Sequence, residues 1–557
     1  MRLKATIGVW FAAMIAVFLF MQWLRVQEYQ AVMSLIANPA NLFSSIHYTV
    51  NVFAVALVLL CELIVVAQWM IYLKTAWVGA MRYHLNEKLP LPEQAPPVLV
   101  LVPSCNEDPT ILRRSLSSVR LLRYPNVRIV LVENSRTESY KAQSVMLAER
   151  YGVEVLHVVN RGHKAGALND ALKAIGSGFK YVAVVDADQR IAPAFLEDLV
   201  PLLEADSRLA FAQAPQLYEN AEATWLTRAA AQQETLLYDT IQEGKSVNGR
   251  ALCCGTHFLM RREALDDVGG WDESSLSEDL ATSFRLHWLG WRSVYVRRSY
   301  GAGLGPLNLP AYWKQQQRWA EGNTTVFRRV LATLFTSKPS RQKLAVAIDY
   351  LWSSGFYITT LTLACLATAP MLMLLEAQIS SAPSTQGWIY LSVYPLYAAV
   401  MLFPYVHMRL RGYPVRNLLQ VQGLLAITMP TYVTCVLKGL LRNRTFFEIA
   451  PKSILDRKLL WWRSGQTYLF LLLMVTGSLL TKAVFTHWWS PPVWIAIFWT
   501  LIYSVSLGHF FIYWSESKRI LKRRANKTRK DAIRREPLAE PWSLVSDLNA
   551  SQIKAQP

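Results

Sequence analysis

The stretch "PPVLVLVPSCNEDP" (Pro96–Pro109) runs through an unbroken block of Val and Leu and stops on Ser-Cys-Asn-Glu-Asp. An apolar run without polar alternation suits a strand buried on both faces, and the turn-forming residues after it mark its end. "VRIVLVENS" (Val127–Ser135) repeats the pattern about thirty residues later. "YVAVVDADQRIAP" (Tyr181–Pro193) is a third such strand, ending in acid. Helical segments such as "TILRRSLSSVRLL" (Thr110–Leu122) and "AGALNDALKAI" (Ala165–Ile175) lie between. Strand and helix in alternation predict an open, mostly parallel sheet. Ligands of such sheets bind at the carboxyl ends of the strands. That edge is where Asn106-Glu107-Asp108, Glu133-Asn134 and Asp186-Ala187-Asp188 fall. No glycine-rich phosphate loop follows the first strand, which argues against a dinucleotide site.

The rest of the chain is of a different kind. Of 557 residues, 52% are hydrophobic and only 17% charged, an unusual balance for a soluble protein of this size. The net charge is +19. Many of the basic residues lie beside apolar runs, the distribution expected of a membrane protein with anionic lipid on its positive side and not of a nucleic-acid binder. Cys61, Cys105, Cys253, Cys254, Cys365 and Cys435 have no metal-ligand spacing and read as reduced thiols.

Thr6–Leu24 is apolar after the basic start "MRLK" and is followed by no small-residue cleavage site, so it reads as a retained helix. Val50–Leu73 is long enough to span, and further apolar runs fall at about 344–375, 388–408, 418–440, 466–486 and 491–514. Asn417–Leu441 contains Gln420, Gln422, Pro430 and Lys438. If it lies in the interface, Arg409, Arg411, Arg416, Arg442, Arg444, Lys452, Arg457, Lys458 and Arg463 all fall on one side. That side also carries Arg2, Lys4, Lys74, Arg82, Lys88 and the basic segment Lys518–Arg535. The expectation is six spans and one interfacial helix, with the termini and the polar domain in the cytoplasm. If Asn417–Leu441 crosses, the count is seven.

Two acid pairs stand out. Asp186 and Asp188, after an apolar strand, are candidate ligands for Mg²⁺ or Mn²⁺ bridging a diphosphate; D-x-D is also a common solvated turn. In "SLSEDLATSFRLHW", Ser277 reads as an N-cap with Glu278 and Asp279 in the first helical turn. Such acids ordinarily compensate the helix dipole. Alternatively Asp279 is a general base, weakened by the helix N-terminus and strengthened by desolvation. His287 and Trp288 on the same helix read as packing.

These elements occur in one order: strand-end acid, "HKAGALN" (His163–Asn169), D-x-D, "CCGTHFLMRREAL" (Cys253–Leu265), S-E-D, and Q-x-x-R-W at Gln315–Trp319. In this combination the chain resembles the membrane-embedded, processive family-two glycosyltransferases, such as bacterial cellulose synthase and curdlan, chitin and hyaluronan synthases. The resemblance runs from about residue 50 to 514. It implies a GT-A-like nucleotide-sugar-binding α/β domain inserted in a bundle of about six transmembrane helices plus interfacial helices. The expected organisation is two N-terminal spans in 1–95, the glycosyltransferase domain in 96–325, and interfacial helices with four spans in 326–515. A gating-loop-like segment falls at 443–456 and a basic cytoplasmic tail at 516–557.

By the same resemblance, Glu133 and the turn after Ser104 would hold the nucleotide base, and Lys164 would lie near the diphosphate. Asp186 and Asp188 would hold the sugar nucleotide and its Mg²⁺ or Mn²⁺. Cys254, Gly255 and Thr256 resemble the "CGS" loop lining the acceptor site. Asp279 would be the base of a "TED" motif. Gln315 and Trp319 would hold the acceptor, and Arg318 the diphosphate. "FEIAPK" (Phe447–Lys452) resembles the "FxVTxK" gating loop, which puts Lys452 near the diphosphate. Four departures are visible: Glu133-Asn134 replaces two aspartates, Ser277 and Ala450 replace threonines, and "QAPQLYEN" (Gln213–Asn220) only partly matches an acceptor-side "QTPHFFxN". The segment after Trp514 is too short for a cyclic-dinucleotide domain of the PilZ type, so none is expected.

The reading is therefore an inverting β-glycosyltransferase of the inner membrane that polymerises a polysaccharide, with UDP-glucose as the first donor to consider. Its partners would be the nucleotide-sugar, the growing polysaccharide, the bilayer, and a periplasmic or regulatory subunit; no nucleic acid is expected. The competing readings are a non-processive enzyme adding one sugar to a lipid carrier and a non-catalytic sensor of sugar nucleotides.

Overall fold

The computed structural model describes residues 2–24, 30, 46–83, 88–158, 164–362, 403–441, 471, 473–481 and 491–531. The chain divides into two compact units. The first draws on Met1–Trp77, Gly355–Leu437 and Asp456–Ser515, the second on Val78–Ser354, Lys438–Leu455 and Glu516–Pro557.

The described part of the first unit is helical. Among the described residues, three helical segments are long and apolar enough to cross a membrane: Ala5–Trp23, Leu63–Arg82 and Leu418–Leu441. The last of these is the segment expected in the interface from its polar residues and the distribution of flanking basic residues; by length and composition it fits the alternative, a crossing helix. Its helix, Val415–Leu441, carries Pro430 in its interior. Tyr513 donates from its hydroxyl to the Gln420 carbonyl at 2.9 Å, and the Tyr357 and Tyr432 rings meet edge-on at 5.0 Å. The last described helix is continuous from Pro491 to Asp531, so the basic segment beginning at Lys518 starts as helix.

The second unit is built on a seven-stranded sheet of order β3-β2-β1-β4-β8-β6-β9. The strands are β1 (Val98–Ser104), β2 (Val127–Glu133), β3 (Glu154–His157), β4 (Tyr181–Val184), β6 (Leu209–Gln213), β8 (Phe258–Arg261) and β9 (Arg292–Tyr295). A second, three-stranded sheet joins β5 (Gln189–Ile191), β10 (Gly301–Gly303) and β7 (Leu217–Tyr218). The three strands read from the apolar runs are neighbours, with β1 between β2 and β4 and both pairs parallel. β8 departs from the parallel expectation: it runs antiparallel to both β4 and β6. The sheet is therefore mixed, and the reversal puts the start of β8 at the edge where β4 and β6 end.

The unbroken apolar run of β1 has a direct cause in burial. Val98, Val100 and Val102 face a core with Leu112, Leu116, Phe195 and Leu199. Leu99 and Leu101 face the opposite core with Leu168, Leu172, Phe258 and Trp271. Successive side chains point to opposite faces, and here both faces are covered. Fully burying each such Val or Leu contributes about 1.5–3 kcal/mol.

Candidate active site

At the carboxyl edge of the sheet lies a cavity of about 590 Å³. Ser104 and Glu133 are paired in register, so the two strands end side by side. Their turns are tied together: the Asn106 N–H donates to Ser135 Oγ at 2.9 Å, and Asn106 Oδ1 accepts from the Arg136 N–H at 3.0 Å. Asn106 takes a positive φ of 53° to do this, a conformation asparagine tolerates better than most residues. Glu133 Oε1 accepts from the Ser135 N–H at 2.6 Å. Glu133 Oε2 and Ser104 Oγ are buried without a hydrogen-bond partner. Buried polar atoms left this way are uncommon and mark a place where a ligand or water donor belongs. Ser104 and Asn134 line the cavity, while Glu133 lies behind them.

Asp186, Ala187 and Asp188 all line the cavity, and Ala187, in the turn between the two acids, is buried against the core. Lys164, in the first turn of the Lys164–Ile175 helix, reaches Asp186 Oδ1 at 2.6 Å and donates to the Gly255 carbonyl at 2.6 Å. Glu278 Oε1 is 4.0 Å from the same ammonium. Burial alone would lower the Lys164 pKa, but Asp186 and Glu278 outweigh it and hold the group above its ordinary value. The lysine thus stays a cation at a place where two carboxylates already tolerate one. Among the described residues no cluster of three metal-ligating side chains exists. Two hard carboxylates fit Mg²⁺ or Mn²⁺ of the kind that takes its remaining ligands from a substrate diphosphate and water.

"CCGT" sits at the entry to β8. Gly255 has φ +81°, and a Cβ there would lie 3.1 Å from Asp279 Oδ2 and 3.6 Å from Lys164 Nζ. Glycine therefore allows both the turn and the approach of those two groups. Cys254 and Gly255 line the cavity. Thr256 does not: it is fully buried, and its Oγ accepts from the Asp186 N–H at 3.1 Å. It supports the D-x-D turn from behind. The loop is clamped by Gln213, whose Oε1 accepts from the Cys254 N–H at 2.8 Å and whose Nε2 donates to the Thr256 carbonyl at 2.9 Å. Burial pushes the Cys254 thiol up to about 12, so it stays protonated.

Asp279 opens the Glu278–Trp288 helix. Ser277 holds the N-cap position, yet its hydroxyl makes no capping bond; Asp279 Oδ1 accepts from the Leu280 N–H at 2.8 Å instead. Burial, followed by the neighbouring Glu278 charge, pushes Asp279 up to about 7, against the pull of the Leu280 N–H, Lys164 and Arg318. Desolvation thus outweighs the helix N-terminus. His287, on the same helix, places Nδ1 2.7 Å from Tyr350 Oη and Nε2 2.9 Å from Ser293 Oγ. Both ring nitrogens are engaged in packing, away from the cavity.

Gln315, Arg318 and Trp319 lie on the Leu309–Thr336 helix and all line the cavity. Gln315 Nε2 donates to Tyr218 Oη at 3.4 Å. One turn beyond Arg318, Gly322 meets the S-E-D turn: a Cβ there would fall 2.2 Å from Ser277 Oγ and 2.9 Å from its backbone nitrogen. This glycine lets the Q-x-x-R-W helix lie against the start of the Asp279 helix. Nothing in a helical pattern singles it out. Sequence reasoning also missed a segment of π-helix at Leu237–Gln242. It delivers Gln242, whose amide binds the Leu252 backbone from both sides at 2.8 and 2.7 Å, just before the Cys254 loop. Nearby Glu234 is raised to about 7 by burial. π-Helical bulges do often accompany functional sites. Lys452 and the segment 443–456 lie outside the described residues, as does Cys365.

A mixed α/β sheet with acids gathered at one edge defines a GT-A-like domain. Residues 181–406 match the family described as glycosyl transferase family group 2. It is 28% identical over 265 residues to the cellulose synthase catalytic subunit [UDP-forming] of Pseudomonas fluorescens (strain SBW25), covering 46% of this chain and 35% of that protein. It is 30% identical over 271 residues to probable glucomannan 4-beta-mannosyltransferase 6 of Oryza sativa subsp. japonica, covering 46% of each. These matches span less than half the length of either curated relative. Among solved structures, mannosyltransferase PcManGT from Pyrobaculum calidifontis, in complex with GDP-Man and Mn2+, aligns with a TM-score of 0.47 at 18% identity, covering 69% of this chain and 98% of that one.

Proposed function

We propose that the protein is an inverting, processive β-glycosyltransferase that extends a polysaccharide from a nucleotide-sugar at the cytoplasmic face of the inner membrane and passes the product across it. The observation that carries the reading is one cavity that gathers the D-x-D acids, Lys164, Asp279, Gln315, Arg318 and Trp319, in which burial raises the Asp279 carboxylate above its ordinary range. A general base is most effective with a pKa near the working pH. Asp279 takes the proton of the acceptor hydroxyl as that oxygen attacks the anomeric carbon. Charge developing on the leaving diphosphate is met by Lys164 and by Arg318, whose planar fork suits phosphate oxygens. Asp186 and Asp188 would hold a divalent ion, which when bound supplies further charge to the diphosphate. The protonated state of Cys254 fits direct displacement, with no thiolate nucleophile required.

Gln315 and Trp319 contribute on the acceptor side. The indole face packs against the apolar face of a sugar ring and orients it without demanding one pattern of hydroxyls, a property suited to a polymer that advances. The apolar helices of the other unit support a membrane location. The relatives' names include a UDP-forming cellulose synthase and a mannosyltransferase, so UDP-glucose and GDP-mannose are the first donors to try. A lipid-linked single transfer remains the alternative, and a periplasmic or regulatory subunit would be an additional partner. The test uses the full chain in lipid nanodiscs with a panel of labelled nucleotide-sugars, following nucleotide release and product length. Long, alkali-stable chains from one donor are expected. Products that stop at one sugar on a lipid would refute the polymerase reading, and no nucleotide release with any donor would refute transfer.

A further inference from the structure

Two helix N-termini bracket the approach to the Q-x-x-R-W segment, and their backbone donors are satisfied from the same distant place in the chain. The Trp225–Leu236 helix begins at Thr224, whose Oγ accepts from the Thr227 N–H at 2.8 Å. That leaves the Trp225 and Leu226 N–H groups, which donate to Glu516 Oε1 and Oε2 at 2.9 and 3.3 Å. The Leu309–Thr336 helix begins at Asn308, whose Oδ1 accepts from the Ala311 N–H at 2.9 Å. Pro310 has no N–H. The remaining donor, Leu309, gives its N–H to Ser517 Oγ at 3.1 Å. The first-turn donors that no helix can satisfy internally are thus completed by two adjacent residues of the Pro491–Asp531 helix, about two hundred to three hundred positions away.

The loop between these helix starts belongs to the same arrangement. Leu304–Asn308 lines the cavity. Asn220 holds Gly305 by both backbone groups, at 2.7 and 3.0 Å, and Thr227 Oγ donates to the Pro306 carbonyl at 3.0 Å. Ser517 is 3% exposed, so its hydroxyl is sealed into the contact. The Glu516 carboxylate faces a positive helix end, where a negative charge is favoured.

We infer that Glu516 and Ser517 are positioning residues for transfer: Ser517 fixes the first turn of the helix that presents Gln315, Arg318 and Trp319 to the cavity, and Glu516 fixes the Trp225 helix, whose Thr227 holds the loop leading into that turn. The segment that reads in sequence as the start of a basic tail is part of the apparatus that aligns the acceptor. The inference rests on the proposed transferase function for its kinetic consequence and on the structure alone for its dynamic one, so the two are tested separately.

The experiment uses the full chain in nanodiscs with Glu516→Ala/Ser517→Ala and Glu516→Gln. Hydrogen–deuterium exchange is read first and needs no substrate. Amides of 309–319 are expected to exchange roughly tenfold faster in the double variant, with those of 98–102 unchanged, since losing caps of this kind loosens a helix start by about that factor. Unchanged exchange at 309–319 would overturn the inference, as would equal acceleration at 98–102, which would mean general destabilisation. Kinetics follow with whichever donor the wild type uses. A fall in kcat of roughly tenfold with donor KM within about twofold supports positioning, as does substantial retention in Glu516→Gln, which keeps an acceptor oxygen. Unchanged kcat in the double variant would overturn it. An inactive wild type would count against the proposed function alone, leaving exchange to decide the positioning.

Discussion

Two aspartates in one cavity are held in opposite ways. Asp186 lies just past the end of β4, after Val185, keeps partial exposure, and has Lys164 at 2.6 Å. Asp279 begins a helix, has no salt bridge among the described residues, and is raised to about 7 by burial and the Glu278 charge. The sheet edge therefore offers carboxylates paired with a cation, suited to holding a charged donor. The helix start offers a carboxylate whose burial outweighs the N–H and the cations that favour its ionised form, suited to taking a proton. Residue type is the same in both regions; surroundings set the chemistry.

The largest expected effect breaks the helix-start side. Asp279→Asn keeps the shape and removes the base, so kcat should fall about 10²–10⁴-fold with donor KM little changed. A variant with near wild-type turnover would end the base assignment. On the sheet edge, Lys164→Met removes an ammonium that bridges Asp186 and Gly255. Loss of a charge-assisted contact costs about 1.5–3 kcal/mol, so kcat/KM should drop by roughly 10–100-fold, chiefly through donor KM. If kcat alone falls, the two regions do not divide the work in this way.

Gly322→Ala tests whether the regions must be brought together tightly. Its Cβ would fall 2.2 Å from Ser277 Oγ, and overpacking of this sort costs about 1–3 kcal/mol. A lower thermal midpoint together with a kcat reduced by about tenfold is expected; an unaffected enzyme would show that the helices part without consequence. The mildest probe is pH. Because Asp279 is raised to about 7 and acts deprotonated, log kcat/KM should climb about one unit per pH unit below that value and level above it. Asp279→Asn should abolish the slope. A limb that persists in the variant belongs to another group.

The site is legible in the sequence to different depths. Asp186 and Asp188 stand at a strand end that an apolar run announces, and the 315–319 spacing puts Gln315 and Arg318 on one helical face. Gln242 leaves no such trace, and the motifs that hold Gln213 and Thr256 do not reveal what those side chains bind. Each is a buried polar residue whose partner lies between 10 and 70 positions away, and only the fold shows that Thr256 supports Asp186 from behind. The antiparallel course of β8 is equally silent, because four apolar and basic residues read alike in either direction.

The buried strands, the acids at their ends and the apolar helices can be read along the chain, since local pattern and each residue's preferred neighbours fix them. The folded domain adds which carboxylate burial raises, how the Cys254 loop is clamped, and what completes the first turn of the Gln315 helix. Those properties depend on desolvation, on charges and on hydrogen-bond partners that arrive from distant parts of the chain. Folding alone brings them within a few ångströms.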